Sequence, residues 1–173
     1  MFTVEEHWFR NLDQELITLI KELQKDTTFN KNWPNFKIVS AWRPNKTKDK
    51  PDWYIEKGRQ SQEELWNQKN KPYQVAKFSA HNVNPACAFD FDSGSGRSNH
   101  AACWADISKI AKSKNIKTTA TYPKGDPVHV QLSKYSRGSV SSSTIAALSS
   151  FDDVDKLVVE LKKSITVTAT TPF

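Results

Sequence analysis

The stretch "KFSAHNVNPACAFDFDSGSG", residues 77–96, sets two acids in an apolar strand. Asp90 and Asp92 stand among Ala88, Phe89 and Phe91. A carboxylate there is costly unless it is paired, hydrogen-bonded or bound to a metal. His81 lies upstream, across a polar bend containing Pro85. Further on, "DPVHVQL" puts Asp126 three residues before His129. In that strand Val128, Val130 and Leu132 claim one face, so His129 and Gln131 take the other. Two neutral imidazoles and one carboxylate, His81, His129 and Asp90, make a common ligand set for catalytic zinc, with the fourth place left to water. Asp126 is then free to act as general base for that water. On spacing alone, a surface His–Asp salt bridge is the commoner alternative. Asp92 shares the parity of Asp90 and reads as a supporting or turn acid, with ligation as its alternative. His7 reads as a surface residue and His100 as a surface or capping residue.

The elements that must position these groups follow from periodicity. Residues 3–25 read as a helix with Thr3 and Glu6 as a capping box and Trp8, Phe9, Leu12, Leu16, Leu19, Ile20 and Leu23 at helical spacing. "FKIVSAW", 36–42, reads as a strand leading into Arg43. Residues 51–72 read as a helical turn, a glycine break and a second turn capped by Ser61 with Glu64. A strand is expected at 86–91 and a helix at 99–114, with Ala101, Trp104, Ile107, Ile110 and Ala111 on its buried face. "VHVQL", 128–132, is the last core strand. The pattern predicts an α+β fold, a small antiparallel sheet with flanking helices. Residues 1–132 are expected to form one domain. Residues 133–173 are expected to form an appendage: a Ser-rich connector, a short helix at 151–163 and a strand, "SITVTAT", that serves packing or docking.

Composition sets the outer limits. The chain has 173 residues, enough for one domain with a core. Hydrophobic residues make up 37% and mean hydropathy is −0.66, the balance of a soluble chain. No apolar run approaches the ~20 residues of a membrane span. "MFTVEEHWFRN" carries acids where a signal peptide needs a basic end and an apolar centre, so synthesis in the cytoplasm without a signal peptide is expected. Net charge of +6 favours anionic partners, either nucleic acid or an anionic polymer such as a bacterial wall. No nucleic-acid motif accompanies that charge, and such a partner would leave the histidines and acids unexplained. Cys87 and Cys103 lack metal or redox spacing and read as free, buried thiols.

"SAHNVNPACAFDF" resembles the S-x-H…A-x-D zinc motif of the M15 peptidases, the D-Ala-D-Ala carboxypeptidase and L-alanyl-D-glutamate endopeptidase family, with Ser79, His81, Ala88 and Asp90 matching. "DPVHVQL" is similar to the family's second motif, an acid three residues before the last zinc histidine. "IVSAWRP" resembles its strand ending in arginine, and "WYIEKGRQS" its aromatic segment before the metal motif. The matches keep the family's order and span about residues 36–132. The interval from His81 to Asp90 is longer than in the commoner H-x-x-G-x-A-x-D form, and "NVNPAC" replaces the glycine. A glycine-tryptophan pair often found before the last motif is absent; "TTATYPKGD" stands there.

The resemblance implies the hedgehog and DD-peptidase-like zinc peptidase fold, with Zn²⁺ held by His81, Asp90 and His129. It implies that Asp126 takes a proton from water and delivers it to the leaving amine. Arg43 would stabilise an oxyanion or bind a substrate carboxylate, a task that suits a planar five-donor fork. Ser79, Arg59, Gln60 and Gln131 would line the substrate cleft or orient the loop above it. The implied substrate is the stem peptide of bacterial peptidoglycan. The implied protein is a phage-encoded lysin or virion-associated wall hydrolase that acts in the periplasm or cell wall. Residues 133–173 would meet the wall or virion proteins. The alternative is a structural virion protein with this fold and no activity.

Overall fold

The computed structural model describes residues 1–68, 78–124 and 126–135. These residues form two compact units, Met1–Trp42 with Asn84–Tyr135, and Arg43–Val83. The first carries a three-stranded antiparallel sheet of order β1-β2-β3, made of Lys37–Ser40, Ala88–Asp92 and His129–Gln131. Helices α1 (Gln14–Lys25), α2 (Thr27–Asn32) and α5 (His100–Ser113) belong to the same unit. The fold class is therefore α+β.

The core of this unit follows from the two periodicities. Leu16, Leu19, Ile20 and Leu23 of α1 are fully buried, the stripe that a 3.6-residue repeat turns inward. From β2, Phe89 and Phe91 are fully buried, while Asp90 and Asp92 on the opposite parity are only partly covered. Phe36 joins the layers: its ring lies 5.1 Å from Phe29, 4.8 Å from Phe2 and 5.6 Å from Phe91. Such edge and offset contacts add to simple area burial. Where β2 ends, Gly94 has φ +73°, and a Cβ there would collide with the Asn35 carbonyl, so the turn requires glycine. Cys87 and Cys103 are free and buried. Burial pushes the Cys87 thiol up to about 11 and raises that of Cys103 as well, so neither is a thiolate at neutral pH.

The expected helix 3–25 is interrupted. A 3-10 turn at Glu6–Phe9 is followed by Asn11 at φ +57°, and α1 starts at Gln14. The cause is a non-local pairing. Ala86 N donates to Asn11 O at 2.7 Å and Asp13 N to Ala86 O at 3.0 Å, which pulls Leu12 out of helical geometry. Asp13, not Thr3, caps α1 by accepting from Glu15 N. His7 is covered as well: its side chain is 9% exposed and its ring meets Glu5 at 3.0 Å. In α5 the buried face is His100, Cys103, Trp104, Ile107 and Ala111. Ala101 is exposed and Ile110 half-buried, so the stripe is rotated from the expected one. His100 is not at the surface, and the N-cap position of α5 falls to Asn99. His100 is buried, with Nδ1 3.0 Å from Ser93 Oγ and its ring edge-on to Phe91.

The second unit contains α3 (Asp52–Glu56) and α4 (Gln62–Asn67), separated by Gly58 at φ +66°. Ser61 and Glu64 form the expected capping box. Glu64 also pairs with Lys50 at 3.1 Å, and Lys50 Nζ donates to Arg59 O at 3.2 Å. The start of α4 is tied to the chain following Arg43, since Gln62 N donates to Pro44 O and Glu63 N to Asn45 O.

Ser133–Tyr135 belong to the first unit. Ser133 N donates to Lys117 O, Lys134 Nζ lies 2.7 Å from an Asp13 carboxylate oxygen, and Tyr135 is buried. The remainder of the expected appendage, with its connector, helix 151–163 and "SITVTAT" strand, lies outside the described residues. No helix among the described residues is long and apolar enough to cross a membrane.

Candidate metal centre

Strand register creates the first contact of the site. β2 and β3 pair with Ala88 opposite Gln131, Phe89 opposite Val130 and Asp90 opposite His129. Directly opposed residues on one face of an antiparallel pair lie within side-chain reach. Phe89 and Val130 point to the core, which leaves Asp90 and His129 together on the other face. Their side chains meet at 3.1 Å, Nδ1 to Oδ1. His129 Nε2 lies 2.9 Å from Gln131 Oε1, and Trp104 Nε1 donates to the His129 carbonyl at 3.2 Å. The second carboxylate comes from the turn before β3. Asp126 N donates to Pro123 O and His129 N to Asp126 O, which holds the Asp126 carboxylate 3.6 Å from His129 Nδ1. Its side chain is 59% exposed, against 15% for Asp90 and for His129.

His81 sits in a polar turn. Ser79 Oγ accepts from His81 N at 3.2 Å, and Asn82 N donates to Ser79 O. The His81 ring is buried, 3% exposed. His81, Asp90 and His129 each offer one ligand atom, and these atoms lie within 4.8 Å of one another. Two imidazoles and a carboxylate suit a borderline cation such as zinc, and three protein ligands leave a position open. The donor set therefore fits a metal ion.

Electrostatics agree with a site that demands positive charge. Both His129 nitrogens face oxygen acceptors, an arrangement satisfied by a protonated ring. Burial disfavours the charged ring. The hydrogen bond and charge of Asp90, helped by Gln131 and Asp126, outweigh it and hold the His129 pKa above its ordinary value. The folded pKa thus exceeds the unfolded one. This group's stabilisation is full below the unfolded value of about 6.5 and is lost as pH rises through the raised folded value. In chelator-treated protein, the melting-temperature advantage over His129→Gln is expected to shrink as pH rises above about 6.5. A constant advantage would refute a charged Asp90–His129 pair.

The other expected site residues divide into two groups. Arg43 lies beside His81, with its backbone N donating to His81 O at 2.9 Å and its Nη1 to Gln62 Oε1 at 2.8 Å. Ser79 and Gln131 contact His81 and His129 as described. Arg59 and Gln60 instead meet Tyr54: the guanidinium lies 5.7 Å from the ring centroid, and Tyr54 OH donates to Gln60 O at 2.8 Å. Asp92 caps the turn after β2, with Oδ1 accepting from Gly94 N at 2.8 Å, and is not one of the three grouped ligands. Sequence reasoning missed Asn82 and Gln62, both buried and both bonded to Arg43. Their signal was faint: Asn82 directly follows His81, and Gln62 follows the capping serine.

The chain is thus of the α+β class and carries a His-Asp-His group able to hold a metal ion. No protein-family model and no curated protein matches this chain.

Proposed function

We propose that this protein is a zinc-dependent peptidase that cleaves the stem peptide of bacterial peptidoglycan, of the M15 type and phage-encoded. The observation that carries the reading is the grouping of His81, Asp90 and His129 within 4.8 Å, in the order and motif context of that family. When bound, zinc supplies Lewis acidity, polarising the scissile carbonyl and making water a competent nucleophile at neutral pH. His81, Asp90 and His129 hold the ion. Asp126, solvent-facing and anchored through its backbone, accepts a proton at its carboxylate from the attacking water and returns it to the leaving amine. The Arg43 guanidinium stabilises the developing oxyanion or orients a substrate carboxylate. The site of action in this reading is the periplasm or cell wall.

The test is elemental analysis of the purified protein together with release of new amino termini from stem peptides and sacculi. One zinc per chain and chelator-sensitive cleavage are expected. Stoichiometric zinc without cleavage would favour the inactive structural protein, and absence of both would overturn the reading.

A further inference from the structure

Asn82 and Gln62 close a buried hydrogen-bonded ring around Arg43. Asn82 is 6% exposed and Gln62 2%. Asn82 Oδ1 accepts from Ser79 N at 2.7 Å and from Ser79 Oγ at 3.1 Å. Its amide nitrogen then points the other way, donating to Arg43 O at 3.0 Å and Gln62 Oε1 at 3.3 Å. Gln62 Oε1 also accepts from Arg43 Nη1 at 2.8 Å. Turning the Asn82 amide over would set an oxygen against two acceptors, so each member fixes the orientation of the next. Arg43 N donates to His81 O, so the same frame carries the His81 backbone.

We propose that Gln62 and Asn82 are positioning residues that aim the Arg43 guanidinium without touching substrate. The inference rests on the role given to Arg43 above. Loss of the Gln62 acceptor removes one restraint on the guanidinium rotamer, and a misplacement of about 1 Å costs up to about a hundredfold in rate.

The experiment compares Gln62→Leu, Gln62→Glu and Asn82→Asp with wild type, in two measurements. The first is made on metal-free, ¹⁵N-arginine-labelled protein, with the Arg43 side-chain signal assigned by its loss in Arg43→Lys. The signal is expected to show restricted motion in wild type and in Gln62→Glu, which keeps the acceptor, and averaging in Gln62→Leu and Asn82→Asp. The second is hydrolysis of a stem peptide by zinc-loaded protein. Gln62→Leu is expected to lose about ten- to a hundredfold in kcat/KM with zinc content unchanged, and Gln62→Glu to recover order and most of the rate. An unchanged Arg43 signal in Gln62→Leu overturns the proposal, as does loss of zinc from that variant. If Gln62→Leu does not fold, Asn82→Asp decides by the same readings. If wild type proves inactive, the peptidase reading fails, and the Arg43 signal alone still tests positioning.

Discussion

His129→Ala is expected to come off purification without stoichiometric zinc and without measurable peptidase activity. The imidazole is one of three grouped donors, and two remaining ligands leave an ion exchangeable. Even groups that merely support a ligand cost about 10- to 100-fold in metal affinity when lost, so a ligand costs at least that. Asp92→Asn is the companion measurement. Asp92 has the strand parity of Asp90 but spends its carboxylate on Gly94 N, so the variant is expected to keep its zinc. Full zinc in His129→Ala, or an empty Asp92→Asn, would show that the ligand set is wrong.

Asp126→Ala is expected to retain one zinc per chain and to lose about 10² to 10⁴ in rate, the range attached to removal of a general base. The backbone bonds from Asp126 N to Pro123 O and from His129 N to Asp126 O do not involve the carboxylate, so the turn that delivers β3 survives the substitution. Zinc analysis beside single-turnover hydrolysis separates the roles. A variant that hydrolyses normally removes Asp126 from the chemistry, and one that loses zinc makes it a ligand.

What was legible in the sequence was local or periodic. Ser61 and Glu64 announced their capping box because both partners lie within one turn. Val130 and Leu132 announced the face opposite His129 because strand parity is strict. The boundary of α1 was not legible, because the apolar stripe runs through the break. Leu12 and Leu16 are both buried, and only the distant Ala86 backbone shows that Leu12 is no longer helical. His100 was misread for a related reason: its partner Ser93 and neighbour Phe91 lie across a glycine turn. Asn82 and Gln62 were invisible because amide networks have no periodicity, and the bond from Asn82 to Arg43 spans 39 positions.

The opposition of Asp90 to His129 would make the proposed metal uptake a checksum on strand alignment. A slip of one residue between β2 and β3 would set Asp90 against Val130 or Val128 and reverse which side chains share its face. The same error would bring polar groups toward the layer now filled by Phe89 and Val130. A misregistered chain would therefore be defective in packing and in ligation at once. The fraction of refolded protein that captures an ion would count the correctly zipped molecules, with no need for substrate.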